Sequence, residues 1–565
     1  MTSTSTDTED TVAYFTMEIG LETEMKTYSG GLGILAGDTM RGFADRGVPA
    51  VGVTQLNDLG YCRQELLDDG SQVSHPDEWS PEAFLDPVDV TATVEIEGRD
   101  VLVKPWRYVV ESETGGEVPV YFLDTDWPEN DDEARDVTRR LYGAGRDRRY
   151  RLMQEVVLGI GGCRILDALG YDVDTYHMNE GHASLSTLEL LARHDLDPSA
   201  VRDRCVFTTH TPVPGGHDEF DYWLADAVVP DLVPDEVLRE HAGEESLHTT
   251  RLALSLSSYA NAVSKRHQSV TDEMFPAHRV DAVTNGVHVP TWVAEPFRTL
   301  YDEHVPGWRE RPERLRTARR LPVDAFLDAH RREKERFVDY VADQSGVELD
   351  PEICTLGFAR RAAGYKRADL PFRDPDRLRS IARTVGGIQF VYAGKAFPGD
   401  TTGEELIRTV YRNGHDLQDD VGVVYLEDYD MEMGHRLTAG VDVWLNNPRR
   451  PLEACGTSGM KAALNGVPQL GTLDGWWLEG HVEGVTGWAI GPSPDEVTAD
   501  ELDADAEDAI DAGSLYDALE RRVLPTYYDD REQWGTVARD AVAFNGAHFS
   551  AGRMVDEYVS RAYRR

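Results

Sequence analysis

The chain has 565 residues, 57 Lys+Arg against 102 Asp+Glu for a formal charge of −45, and 41% hydrophobic residues. Its 11 Trp, 23 Tyr and 16 Phe are spread along the length, which excludes a wholly disordered chain and supplies apolar material for more than one core. So negative a balance also excludes a surface built for nucleic acid or acidic membranes.

In chain order, the N-terminus MTSTSTDTED has neither a basic n-region nor an apolar h-region, so no signal peptide is expected. Short β-rich runs follow (VAYFTME, VPAVGVTQL, VPVYFLDTD, CVFTTHTP, VDAVTNG), alternating with helical stretches such as 134–168 and 183–194. The longest apolar candidate, VVLGIGGCRIL, is too short to span a membrane and carries Arg164. After about residue 290 an Arg-rich amphipathic stretch, roughly 308–344, leads into a second series: TLGFA, IQFVYAG, VGVVYLED, VDVWLNN and VPQLGTL. β/α alternation twice over predicts an α/β protein of two doubly wound, Rossmann-like domains, residues 1–290 and 291–565, facing a central cleft. The acidic segment 493–512 reads as a solvated loop and helix face.

Two counts sharpen this reading. There are only seven lysines, leaving 50 arginines, and Lys scarcity with excess Asp/Glu predicts a surface hydrated at high salt, hence a salt-loving host. Each remaining lysine then has a better claim to a task that Arg cannot perform. The five cysteines (Cys62, Cys163, Cys205, Cys354, Cys455) are odd in number and unclustered, predicting free thiols in a reducing, cytoplasmic setting.

Four motifs carry chemistry. In YSGGLGILAGD, Gly30, Gly31 and Gly33 let the backbone turn tightly at a helix start and aim N–H groups at an anion. GFARRAAGYKRADL sets Arg360, Arg361, Lys366 and Arg367 within eight residues of an acidic protein, which predicts a phosphate site. In NNPRRPLEACGTSGMKAALNG, Glu453 precedes a Gly456-Thr457-Ser458-Gly459 turn, and Lys461 opens a helix where it can meet a phosphate or form a Schiff base with a cofactor aldehyde. Downstream, Trp476 and Trp477 offer apolar faces for a sugar ring, or divide between core and surface. The histidine groups HMNEGH, TTHTPVPGGH and TNGVH contain His177, Glu180, His182 and His210, ligand types for a metal, but without HExxH spacing they suit hydroxyl recognition, and no metal is expected. Cys455 has no neighbouring histidine to activate it and reads as a small buried thiol.

The order of GGLG, HMNEGH, THT, TNG, RRxxxYKR, GKAxPG and ExxGTxxMK, from YFTMEIGL at 14–21 to GTLDGWW at 471–477, resembles the α-glucan phosphorylases. The resemblance implies a GT-B type glycosyltransferase architecture with terminal helices packing back on the N-terminal domain. It implies pyridoxal 5′-phosphate on Lys461, and reversible, retaining phosphorolysis of α-1,4-glucan with inorganic phosphate to α-glucose 1-phosphate, the cofactor phosphate acting as proton relay. It implies Arg361 and Lys366 on the substrate phosphate, Arg360 and Thr457 on the cofactor phosphate, Gly30 and Gly31 giving N–H groups, and Tyr429 near the cofactor. His210, Asn285 and Glu453 would bind glucose hydroxyls, with Cys455 and Gly456 lining the same pocket. Lys366, Lys395 and Lys461 all fall in family motifs, which would put three of the seven lysines in the cleft. Arg360 stands where the family often has Lys, Cys455 where it often has Ser, and Ser458-Gly459 where the large enzymes have Gly-Asn. The motifs begin by residue 14, so the regulatory N-terminal extension, and control by phosphorylation or AMP, are not expected. An oligomer is compatible with the reading. A nucleotide-sugar glycosyltransferase of glycogen synthase type is the alternative, though it needs no aldehyde cofactor; a glucan-binding protein without catalysis would not need the set Arg361, Lys366, Lys461 and Glu453.

Overall fold

The computed structural model describes residues 10–113, 115–145, 147–494 and 503–563; the N-terminal residues 1–9 and residues 495–502 of the acidic segment lie outside the described residues. Two sheets organise the fold. The larger has ten strands, ordered Asp281–Ala282, Tyr259–Ala262, Cys205–Thr208, Thr175–Asn179, Val12–Thr16, Ala50–Gln55, Glu117–Asp124, Arg99–Glu111 and Asp86–Pro87, with Ala92–Ile96 also pairing to Arg99–Glu111. The run from Asp281–Ala282 to Glu117–Asp124 is parallel, and the remaining pairs are antiparallel. The second sheet is parallel throughout: Val421–Leu426, Ile388–Ala393, Cys354–Ala359, Val443–Asn446, Gln469–Thr472 and Gly487–Ile490. Central strands such as Val12–Thr16, Ala50–Gln55 and Cys354–Ala359 are buried at every position, because helices cover both faces of a parallel sheet and alternation disappears.

Strand order fixes where a ligand fits. In the first sheet Val12–Thr16 has its successor Ala50–Gln55 on one side and Thr175–Asn179 on the other. In the second, Cys354–Ala359 lies beside Val443–Asn446, and the chain steps outward from that pair in both directions. At each reversal the loops leaving neighbouring strands diverge and open a crevice at the carboxyl ends. Those loops carry Glu18, Glu180 and His182 in one sheet, and Arg360, Arg361 and the segment up to Glu453 in the other.

Two segments differ from expectation. The stretch 134–168 is not one helix: Asp132–Asp136 ends, Tyr142 (φ 55°) and Gly143 (φ 69°) turn the chain, and Asp147 caps a new helix by accepting from the Tyr150 N–H. That helix passes through a π turn at Val157–Gly161 into Gly162–Ala168. The strands Arg63–Leu66, Gln72–His75 and Arg99–Glu111 were not anticipated, being part-exposed and interrupted by polar or charged residues. Near the end of the chain, Ala551–Tyr558 returns to Gly31–Arg46, and Met554, Val555 and Tyr558 share a core with Leu35 and Phe43. Among the described residues no helix is long and apolar enough to cross a membrane.

Candidate active site

A cavity of about 740 Å³ lies where the loops of both switch points meet. All thirteen site residues expected from the sequence line it: Gly30, Gly31, His210 and Asn285 from the first half, and Arg360, Arg361, Lys366, Tyr429, Glu453, Cys455, Gly456, Thr457 and Lys461 from the second. Of the seven lysines, four rather than three line it, Lys26 joining Lys366, Lys395 and Lys461.

The local turn explains how Lys461 reaches the cavity. Gly456 takes φ 89°, a left-handed conformation suited to glycine, and Thr457 then opens the helix Ser458–Leu464. The Lys461 side chain is buried, with Nζ 3.6 Å from the centroid of Trp292, whose Nε1 donates to Asp38 Oδ2 at 2.8 Å. No carboxylate lies within ion-pair distance of Lys461 among the described residues, and burial lowers its ammonium to about 8 against the pull of Asp38.

The basic loop divides. Arg360 Nη2 is ion-paired with Glu453 Oε2, and Lys366 Nζ lies 3.3 Å from the same oxygen. Burial favours the neutral form of Glu453, but Arg360 and then Lys366 outweigh it and hold the carboxyl below its usual range. Burial, with Arg360 next, brings Lys366 down to about 7. Arg360 keeps Nη1 buried and without a partner, and Arg361 has no ion pair with a carboxylate among the described residues. Arg367 turns away: it is buried between Asp508 and Asp511, 2.9 and 2.7 Å distant. The expectation that all four cations serve one phosphate site is corrected for this residue, since a buried guanidinium must be paired. The same contacts limit the solvated reading of the acidic segment: Asp508 and Asp511 are buried partners of arginines, while Asp503, Asp505, Ala509 and Ile510 are exposed.

The first half contributes polar groups to the cavity wall. Gly30 N–H donates to Glu18 Oε2 at 3.2 Å. Gly31 begins the uncapped helix Gly31–Arg46, and a Cβ at either glycine would meet nothing within 4 Å, leaving room at this wall. His210 Nε2 donates to Asn179 Oδ1 at 2.6 Å, while burial keeps its imidazole neutral. Asn285 is buried with Oδ1 unpartnered. Cys455 is a buried thiol whose deprotonation burial disfavours, and all five cysteines are buried. Burial likewise keeps the Tyr429 phenol neutral. Trp476 and Trp477 are both fully buried, so they neither divide between core and surface nor offer a face to a sugar; they pack with Phe549 and Cys455.

Several residues of the site were missed as such. Glu18 accepts from Ser29, Gly30 and Tyr142 at the cavity wall, although its motif YFTME was noticed. Asp474, in LDGWW, accepts from the Glu453 N–H at 2.9 Å, and burial brings its carboxyl up to about 7. Trp292 carried no signal beyond the TNGVH motif that precedes it. Among the described residues, no three His, Cys, Asp or Glu side chains are arranged to hold a metal ion. The donor set fits a different group. A buried primary amine without an ion pair to a carboxylate among the described residues, in the same cavity as an orphaned guanidinium N–H and a glycine turn, suits an aldehyde that carries a phosphate.

The family model for carbohydrate phosphorylases matches residues 231–489. The chain is 37% identical to maltodextrin phosphorylase of Thermococcus litoralis, an alignment covering 98% of this chain and 70% of the relative. It is 33% identical to glycogen phosphorylase of Aquifex aeolicus (98% and 86% covered) and 36% identical to glycogen phosphorylase of Mycobacterium tuberculosis (98% and 70%).

Proposed function

The chain belongs to the carbohydrate phosphorylase family, and from that membership we propose that it is an enzyme for the reversible phosphorolysis of α-1,4-glucan, releasing α-glucose 1-phosphate from non-reducing ends. The observation that carries the reading is the meeting, in one cavity, of an unpaired buried lysine with Arg361 and Lys366. We also read the two sheets as Rossmann-like domains, 1–290 and 291–565, facing a cleft of GT-B type. The paired switch points and a cavity lined from both halves support this.

Phosphorolysis transfers the terminal glucosyl unit: the bond from C1 to the chain oxygen breaks, that oxygen takes a proton, and a phosphate oxygen bonds to C1. Arg361 and Lys366 bind the phosphate dianion and hold its negative charge against the cationic character that grows at C1. Glu453, kept ionised by Arg360 and Lys366 and fixed through its N–H by Asp474, accepts hydrogen bonds from glucose hydroxyls. Neutral His210, oriented by Asn179, and the unpartnered Asn285 Oδ1 complete hydroxyl recognition. Lys461, with Thr457, Arg360 Nη1, Tyr429 and the Gly31 wall, would hold pyridoxal 5′-phosphate. When bound, that group supplies an aldehyde for the Lys461 amine and a phosphate that relays a proton, with retention at C1. The buried surroundings exclude water, which would otherwise give glucose instead of the phosphate ester.

The test is to incubate maltodextrins of graded length with phosphate, and separately with ADP-glucose, following products by phosphorus NMR. Phosphate-dependent appearance of α-glucose 1-phosphate is expected. Consumption of ADP-glucose without it would assign the chain to the nucleotide-sugar class instead.

A further inference from the structure

Two stretches remain unused by this chemistry: Arg367, fourth cation of the basic loop, and the acidic run that ends at residue 512. They meet beneath the cavity. Arg367 Nη2 lies 2.7 Å from Asp511 Oδ2, and Arg450 Nη2 lies 2.9 Å from Asp511 Oδ1. Asp508 stands beside them, 2.9 Å from Arg367 Nη1. Asp511 is 0% exposed and does not line the cavity. Arg367 also donates to the carbonyl oxygens of Asn447 (2.9 Å) and Pro448 (3.0 Å).

One carboxylate therefore fastens two separate loops. The first presents Lys366, the residue next to Arg367; the second runs from the strand Val443–Asn446 through Arg450 to Glu453. On the cavity side the same two loops touch again, where Lys366 Nζ approaches Glu453 Oε2. A buried carboxylate held by two guanidiniums tolerates little displacement of either, because moving one leaves an uncompensated charge out of reach of water. We propose that Asp511, seconded by Asp508, is a positioning residue that acts through Arg367 and Arg450 to keep Lys366 and Glu453 in register at the phosphate-handling end of the cavity. The inference rests on the phosphorylase reading above.

A merely structural acid would change the melting temperature alone, whereas a positioning acid changes phosphate binding. The full chain and its variants Asp511→Asn, Asp511→Glu and Asp508→Asn are compared in steady-state phosphorolysis, with maltodextrin binding measured separately in the absence of phosphate. In Asp511→Asn, KM for phosphate rises by roughly 10- to 100-fold, the scale of a misplaced binding group, and maltodextrin binding weakens by a smaller factor through the displaced Glu453. Asp511→Glu, which keeps the charge, restores part of the loss. Asp508→Asn leaves both Asp511 pairs intact, gives a smaller rise, and serves as the readout should Asp511→Asn fail to fold. Variants that melt earlier yet keep the wild-type KM for phosphate overturn the proposal alone. A wild-type chain that releases no glucose 1-phosphate overturns the phosphorylase reading, and this inference with it.

Discussion

Two lysines of this chain are almost wholly buried, and their surroundings are opposite. Lys334, on the helix Val323–Ser345, gives its ammonium protons to Asp442 Oδ2 at 2.5 Å, Ile353 O at 2.7 Å and Tyr527 OH at 3.0 Å. Asp442 in turn accepts from His330 and from the Thr355 N–H. Every member of that cluster that carries charge meets its opposite. Among the described residues Lys461 has an indole face, a more distant carboxylate, Asp38, and no ion pair. A buried charge with a full set of partners is part of the architecture; one left short of partners is a candidate for holding a ligand.

The contrast is open to direct attack by mutation. The largest effect belongs to Lys461→Ala, for which phosphorolysis falls by roughly four orders of magnitude or more, the cost of deleting an essential catalytic group, with the melting temperature unchanged or raised. Next, Arg361→Ala lowers kcat/KM for phosphate by roughly 10²- to 10³-fold, as expected for a donor aimed at developing charge, and leaves stability alone because Arg361 has no ion pair with a carboxylate among the described residues. Lys334→Met behaves in reverse: denaturant unfolding shows a loss of about 3–5 kcal/mol through the uncompensated Asp442, while the folded fraction keeps its specific activity.

The pH dependence is smaller and separates the two sites further. Lys366, brought down to about 7 by burial and by Arg360, is charged below that value and neutral above it. KM for phosphate therefore increases as pH rises through about 7, and Lys366→Arg, permanently charged, flattens the profile. The smallest effect is that of salt. If the −45 shell is a high-salt surface, melting temperature climbs steadily with KCl into the molar range, as self-repulsion is screened. A chain that is equally stable in low salt would remove the salt-loving host from the account.

Much of the cavity lining was legible in local marks: cations packed into one loop of an anionic chain, glycines before a helix, a lysine where lysine is rare. The β/α alternation was legible for the buried parallel strands, whose apolar runs are continuous. The charged strand Arg99–Glu111, part-exposed in the antiparallel end of the larger sheet, has no such run and was missed. Arg367 was indistinguishable from Arg360 and Arg361 in the sequence, since its partners Asp508 and Asp511 lie more than a hundred residues away. The engagement of the Gly30 N–H by Glu18 and the burial of both Trp476 and Trp477 are likewise tertiary facts that spacing does not carry.

The distinction between the two buried lysines comes down to which of them an aldehyde can reach. The full chain is loaded with pyridoxal 5′-phosphate, reduced with borohydride, digested, and its peptides are mapped by mass. The account predicts a single stable pyridoxyl adduct on the peptide containing Lys461, lost in Lys461→Ala. An adduct on Lys334 or Lys366 instead, or none on the wild-type chain, would contradict it.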